Sequence, residues 1–173
     1  IAFCSRGEEA LRATETEIIK TGVKVFASTC DVGNQESLNG FLENAQRTLG
    51  SIDILVNNVS AIRFGDEETD WEVSLNVDLM GSVWATKKVV PWMTESGGGS
   101  ILFISSISAL EAGSPPSYAA VKAAIISYSK TLAVQLAPQN IREGRHFNFF
   151  LGGIFLNFPM PPDLKNWKKQ HFI

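Results

Sequence analysis

Strand-like and helix-like segments alternate along this chain, and that alternation constrains the fold more than any single residue does. Short apolar runs bounded by turn residues predict buried strands, and longer segments with apolar residues three and four positions apart predict helices. The predicted strands are 1–4, 23–30, 52–56 and 100–104, and the predicted helices are 8–20, 36–49, 70–93 and 118–136. Strands separated by helices of this length form βαβ units. We therefore predict an α/β fold, a doubly wound parallel sheet between two helical layers.

Length and composition limit the class of protein. The chain has 173 residues, 45% of them hydrophobic, which predicts a single domain over 1–173 with a substantial core. A net charge of −3 argues against nucleic acid as the main ligand, because neutralising many phosphates needs a basic face. No apolar stretch is long enough to span a bilayer and the first residues lack a secretory pattern, so we predict a cytoplasmic protein that does not bind membranes. Cys4 and Cys30 lack metal-ligand spacing, and we expect two free thiols and no metal site.

Tyr118 and Lys122 form the most informative pair in the sequence. Residues four apart lie on the same face of a helix, so both side chains can reach one ligand. A neighbouring ammonium favours the phenolate form of tyrosine, which suits the phenol to proton transfer near neutral pH. Ser105 and Ser106 end the preceding strand and offer a hydroxyl to the same site. The alternative interpretation is an ordinary pair of side chains on a helix surface.

A second motif follows the predicted strand 52–56. Asn57, Asn58, Val59 and Ser60 stand at its carboxyl end, where open parallel sheets bind ligands. Two asparagines are also common in ordinary turns. By itself this motif therefore favours a ligand site only weakly.

Taken together and in this order, the motifs resemble those of the short-chain dehydrogenase/reductase family. The family's NNAG motif is matched by residues 57–60, its active-site serine by Ser106 and its YxxxK motif by Tyr118 and Lys122. The resemblance covers residues 1–142, and residues 104–133 are most similar to the 3-oxoacyl reductase branch. It implies a Rossmann-like fold, a nicotinamide cofactor and a small-molecule carbonyl or alcohol substrate.

The resemblance also assigns catalytic roles. Tyr118 is similar to the catalytic acid-base, and Lys122 to the residue that lowers the tyrosine pKa and binds the nicotinamide ribose. Ser106 corresponds to the hydroxyl that orients the substrate carbonyl, with Ser105 as the alternative. At the position of the family's catalytic asparagine this chain has Asp78, which is either a holder of a relay water or a solvated helix residue.

Further positions resemble the family's cofactor site. Asp31 matches an aspartate that contacts adenine, with Val32 packed on the ring, although Asp31 also suits a simple turn. Arg6 follows the first strand where NAD-preferring members tend to carry an acid, and an arginine there accommodates a 2′-phosphate. The resemblance thus implies NADP(H) rather than NAD(H), held by Arg6, Asp31 and Val32 and by the motif residues Asn57, Asn58, Val59, Ser60, Tyr118 and Lys122.

Both ends of the chain depart from the family pattern. No glycine-rich turn precedes Ile1, and in the family that turn follows a strand in the middle of the sheet. We therefore expect the sequence to be incomplete at both ends. After Arg142 the pattern becomes irregular, residues 143–146 replace the expected strand, and Gly152-Gly153 suggests a segment on the substrate side. His146 and His171 are isolated and are not proposed as ligands.

Three functional hypotheses follow. The leading one is an NADP-dependent oxidoreductase with Tyr118 as acid-base, acting as a homodimer or homotetramer through helices 70–93 and 118–136. The second is a catalytically silent NADP-binding sensor or assembly module. The third is a truncated remnant without cofactor affinity.

Overall fold

The computed structural model describes residues 1–151 and 154–156, with side chains described for residues 1–144. The strands are β1 Ala2–Ser5, β2 Phe26–Thr29, β3 Ile54–Asn57, β4 Gly99–Ser106, β5 Ile141–Leu151 and β6 Ile154–Leu156. The helices are α1 Glu8–Ile19, α2 Gln35–Leu49, α3 Glu68–Ser74, α4 Gly81–Glu95 and α5 Pro116–Leu136. A π-helical turn, Leu75–Met80, joins α3 to α4.

The strands pair mainly in parallel, as the alternation predicts. β1 pairs with β2 from Ala2 opposite Phe26 to Ser5 opposite Thr29. A second sheet has the order β3-β4-β5-β6, in which only the β5–β6 pair is antiparallel. The expected α/β architecture is therefore confirmed.

A slot separates the two sheets. β1 and β3 do not pair with each other, yet residues of both line one cavity of about 330 Å³. Its walls are mostly apolar and include Phe3 of β1 and Leu55 of β3. The order across the molecule is thus β2-β1, the slot, then β3-β4-β5-β6, with one edge of β1 and one of β3 facing each other.

The helices lie in two layers. Parallel crossovers are right-handed, so reversing direction across the sheet moves the connecting helix to the opposite face. The crossover from β1 to β2 runs away from β3 and places α1 on one face. The later crossovers run in the opposite direction, from β2 towards β5, and place α2, α4 and α5 on the other face. Glu43 of α2 and Lys88 of α4 form an ion pair of 2.5 Å within that second layer.

Local sequence explains where α2 begins and ends. The Asn34 side chain accepts a hydrogen bond from the Ser37 amide at 2.9 Å, which satisfies one of the unpaired donors at the helix start. Leu38, Phe41, Leu42 and Ala45 are buried on one face, and Gly50 ends the helix with a φ of 92°. Spacing and terminators together therefore specify this helix.

The predicted helix 70–93 is interrupted. α3 and α4 are joined by the π turn, which carries Asp78 into a buried position. Gly81 follows it, and a Cβ at this residue would lie 2.9 Å from the Val32 carbonyl oxygen. Glycine therefore allows α4 to approach the turn after β2. π-helical turns such as Leu75–Met80 often occur at functional sites.

The expectation that residues 143–146 replace the strand after Arg142 is wrong. β5 begins at Ile141, and Glu143 through His146 pair with Ile101 through Ile104 of β4. This strand lacks a clear alternating pattern because its ladder is completed by a distant neighbour rather than by local sequence. Residues 152–153 and 157–173, which include Gly152, Gly153 and His171, lie outside the described residues.

Candidate active site

A cleft of about 690 Å³ opens where the parallel strands end. Its lining comes from the segments that follow β1, β2 and β3, from the end of β4 and from the start of α5. Parallel sheets bring these carboxyl ends to one edge, where main-chain groups and turn side chains remain available to a ligand. Eight predicted site residues line this cleft: Arg6, Asp31, Val32, Asn58, Val59, Ser60, Ser106 and Tyr118.

Ser106, rather than Ser105, faces the cleft. The Ser106 hydroxyl lies 3.1 Å from the Ser108 hydroxyl and accepts from the Ser108 amide at 3.2 Å. Ser105 is buried, and its hydroxyl donates to the main-chain oxygen of Lys122 at 2.9 Å. Ser105 thus ties β4 to α5, and the geometry favours Ser106 as the hydroxyl that meets a ligand.

Lys122 is a buried cation beneath the cleft. Its side chain is 3% exposed, and Nζ donates to the Ile104 carbonyl oxygen at 3.1 Å. The same atom lies 3.1 Å from Oδ1 of Asp78 and 5.5 Å from the centre of the Tyr118 ring. An ammonium has three N–H donors, and the contacts with Ile104 and Asp78 account for two of them.

Asp78 is fully buried, which excludes the interpretation of a solvated helix residue. Its Oδ1 accepts from the Ser60 hydroxyl as well as facing Lys122, and its Oδ2 accepts from the Ala61 amide at 2.9 Å. The carboxylate therefore contacts the lysine directly and connects it to the loop after β3.

The residues predicted to hold the cofactor do not all lie at the cleft. Arg6 is exposed at the cleft and makes no ion pair with the described side chains. Asp31 lines the cleft and also accepts from the Gly33 amide at 2.9 Å, so it supports a turn as well. Asn57 lies instead at the slot, where its Nδ2 is buried without a hydrogen-bond partner among the described residues.

The motif analysis missed several cleft residues. Ala61 contributes only a main-chain amide, and Val77 contributes apolar surface, so neither carries a side-chain signal that marks a site. Cys4 and Cys30 also line the cleft and are free, as expected. The Cys4 thiol lowers the pKa of Cys30 to about 7 against the opposing effect of burial, and the Cys30 thiol, aided by burial, raises the pKa of Cys4.

The described residues offer neither a metal site nor a membrane-spanning helix. They contain no group of three or more histidine, cysteine or acidic side chains placed to hold a metal ion. None of their helices is long and apolar enough to cross a membrane.

The parallel α/β sheet, with a serine, a tyrosine and a lysine near its carboxyl edge, is a Rossmann fold. Residues 1–144 match the family model for short chain dehydrogenases. The chain belongs to the short-chain dehydrogenase family, which confirms the resemblance and identifies an oxidoreductase fold.

Proteins similar to this chain in sequence or in structure are named as dehydrogenases and reductases. The chain is 32% identical over 169 residues to the (2S)-[(R)-hydroxy(phenyl)methyl]succinyl-CoA dehydrogenase subunit BbsD of Thauera aromatica, covering 95% of this chain and 66% of that protein. It is 36% identical over 125 residues to the 3-oxoacyl-[acyl-carrier-protein] reductase FabG of Thermotoga maritima, covering 69% of this chain and 50% of that protein. The chain spans about half to two thirds of the length of such relatives.

Solved structures include family members with either nicotinamide cofactor. L-sorbose reductase from Gluconobacter frateurii, complexed with NADPH and L-sorbose, has a TM-score of 0.78 at 29% identity, covering 82% of this chain and 56% of that one. A xylitol dehydrogenase with bound NAD⁺ has a TM-score of 0.83 at 28% identity, covering 88% and 61%.

Proposed function

We propose that this protein is an NADP(H)-dependent oxidoreductase that interconverts a carbonyl and an alcohol, with Tyr118 as the acid-base. The observation that carries the proposal is that Ser106 and Tyr118 line the same cleft as Arg6 and Asp31, with the Lys122 ammonium 5.5 Å from the centre of the Tyr118 ring. Arg6 and Asp31 follow β1 and β2, whereas Ser106 ends β4, so the two groups stand across the sheet from each other. An elongated dinucleotide bound along the cleft would contact both groups.

The cleft suits this cofactor. Its volume of about 690 Å³ lies within the range of small-molecule sites. Arg6, without an ion pair among the described side chains, offers a planar guanidinium to a phosphate on the adenosine ribose. In this proposal Asp31 and Val32 would border the adenine, and Asn58, Val59 and Ser60 would border the middle of the cofactor. Lys122, buried beside Tyr118, would face the nicotinamide ribose.

The reaction follows from the side chains at the β4 end. When bound, the reduced nicotinamide supplies a hydride, and thus two electrons, to the carbonyl carbon. The Ser106 hydroxyl donates a hydrogen bond to the carbonyl oxygen and fixes its position. The Tyr118 hydroxyl gives its proton to that oxygen as negative charge develops there, and in the oxidative direction it takes the proton back.

The second candidate remains a silent NADP-binding sensor or assembly module. The direct contact of Asp78 with Lys122 favours it, because a compensated lysine assists the phenol less than a free one. Turnover distinguishes the two functions.

Cofactor binding and carbonyl reduction test the proposal. NADPH and NADH binding would be followed by fluorescence, and reduction would be followed on aliphatic, aromatic and 3-oxoacyl thioester carbonyls. Arg6→Ala should weaken NADPH binding by roughly 10- to 100-fold, the loss of one charge-assisted contact, with NADH unaffected. Tyr118→Phe should keep binding and lose at least about 100-fold in rate, whereas the control Tyr128→Phe should stay active.

Each alternative outcome would contradict a different part of the proposal. Equal effects of Arg6→Ala on both cofactors would contradict the NADP preference. Tight binding with no turnover across the panel would favour the sensor, and the absence of binding would overturn both functions.

We also propose a homodimer or homotetramer formed by the helical segments 70–93 and 118–136. Val134 of α5 supports this, because it is a large apolar side chain that is 77% exposed.

A further inference from the structure

The contact between Asp78 and Lys122 is a buried ion pair rather than a loose association. The two side chains are 0% and 3% exposed, and Oδ1 lies 3.1 Å from Nζ. Their charges lie in a region from which water is largely excluded, so each strongly affects groups nearby. Tyr118 is such a group, since Nζ lies 5.5 Å from its ring centre.

The surroundings of position 78 suit a carboxylate rather than an amide. Three donors converge on Asp78: the Ser60 hydroxyl, the Ala61 amide and the Lys122 ammonium. An ionised carboxylate accepts hydrogen bonds at both oxygens. An asparagine offers one oxygen and one NH₂ group, and the latter would face a donor in either orientation. This chain therefore departs from the family's asparagine in a way that its own hydrogen bonds require.

We propose that Asp78 is a positioning residue that compensates the charge of Lys122 and fastens the loop at Ser60 and Ala61 beside the reaction site. Both carboxylate oxygens of Asp78 already accept hydrogen bonds from protein donors. Tyr118 then faces a neutral pair instead of a free ammonium. The inference rests on the proposed function only where it concerns turnover, because phenol ionisation can be measured without it.

Other charged residues lie on the elements around the cleft. Arg6 and Asp31 line the cleft from the β1 and β2 side. Arg142 and Glu143 of β5 are paired with Ser100 and Ile101, near the start of β4, whereas Ser106 ends that strand. Arg145 and His146 occupy the register positions of Phe103 and Ile104. Among the described side chains, the acidic groups of α3 and of the loop before α5 are Glu68, Asp70, Glu72 and Glu111.

The tyrosine content of the chain allows a direct test. There are two tyrosines, and burial raises the pKa of Tyr128. Tyrosinate absorbance near 295 nm, measured in a Tyr128→Phe background, therefore reports Tyr118 alone. Tyr118→Phe in otherwise native protein should remove the same phase.

In that background, Asp78→Asn should move the midpoint of the absorbance titration down by about one pH unit or more, because the ammonium becomes uncompensated. Ser60→Ala keeps the charge and removes only a hydroxyl, so its midpoint should stay within a few tenths of a unit. An unchanged midpoint in a folded Asp78→Asn protein would overturn the inference.

A second variant covers the case in which Asp78→Asn does not fold. The double variant Asp78→Asn with Lys122→Gln replaces a neutral pair of charges by two neutral amides, and such replacements are often tolerated. Its titration midpoint should equal that of the Tyr128→Phe parent. An upward move would mean that Tyr118 normally senses a net positive charge, which contradicts compensation by Asp78.

Kinetics then separate this inference from the proposed function. If the protein turns over, the acid limb of kcat/KM for alcohol oxidation should move down together with the titration in Asp78→Asn. A protein without turnover but with the shifted titration would refute the enzyme while supporting the ion-pair role.

Discussion

Cys4 and Cys30 show how two ordinary residues acquire unusual properties when adjacent strands bring them together. Cys4 lies in β1, Cys30 directly follows β2, and both residues line the cleft. The Cys4 thiol lowers the pKa of Cys30 to about 7, and the Ser37 hydroxyl, 3.6 Å from the Cys30 sulfur, stabilises the thiolate further. In sequence the two residues are far apart, and nothing in either local pattern indicates the pairing.

The thiol pair should make stability depend on pH. The folded pKa of Cys30, about 7, lies below the ordinary value of 9.0, so its contribution is present above pH 9 and is lost as pH falls through 7. The pKa of Cys4 is raised, so its contribution declines above pH 9. We expect the difference in unfolding free energy between wild type and Cys4→Ala to grow from pH 7 to 9.

Urea denaturation at several pH values measures that difference, and thiolate absorbance near 240 nm gives the Cys30 titration independently. Cys4→Ala should raise the Cys30 midpoint, whereas Ser28→Ala, at the strand position opposite Cys4, should not. Identical titrations in wild type and Cys4→Ala would contradict the effect of the Cys4 thiol on Cys30.

At the scale of elements, the junction of α4, β4 and β5 depends on a close main-chain contact. Gly98 has a φ of 133°, and a Cβ there would lie 2.4 Å from the Asn140 carbonyl oxygen. Asn140 itself has a φ of 56°, and its side chain donates to the Gly97 oxygen at 2.9 Å. This contact fixes the start of β4 against the start of β5.

Gly98→Ala should therefore lower the free energy of unfolding by about 3 kcal/mol or more, combining backbone strain with a steric clash. Gly97→Ala is the matched control: its φ is 92°, but a Cβ there meets no atom within 4 Å. The control should cost only about 1–2 kcal/mol. Equal losses in chemical denaturation would contradict the role assigned to the Asn140 contact.

Predictability from the sequence differed between elements for physical reasons. α2 was predictable because its cap, apolar face and terminal glycine lie within the segment itself. The π turn and β5 were not predictable. Asp78 of the π turn contacts the 60–61 loop and α5, and β5 is held by its hydrogen bonds to β4. Both depend on partners distant in sequence.

At the scale of the whole molecule, the described strands form two separate sheets, and α5 exposes a large apolar side chain. The slot between β1 and β3 leaves two strand edges facing each other across an apolar cavity. On the outer surface of α5, Val134 is exposed, whereas Leu132 and Leu136 beside it are buried. The exposed valine marks the helix surface on which the proposed oligomer can be tested.

Val134→Glu should convert the proposed dimer or tetramer to monomer, because two copies would place like charges and an unpaired carboxylate in one interface. Sedimentation velocity on wild type and variant measures the change. Val23→Glu, an exposed valine far from α5 in the chain, controls for added charge. A wild type that sediments only as monomer at micromolar concentration would refute the oligomer.

The sequence by itself determined the α/β class, most of its helices and the membership of the motif residues in one family, because these depend on local spacing and on residue type. Tertiary structure alone decided that Ser106 rather than Ser105 faces the cleft, that Asn57 lies at the slot, and that Asp78 is buried against Lys122. Each of these depends on which side of a strand or turn packs against another element. Residue identity leaves that choice open, and the packing of β4, α5 and the π turn resolves it.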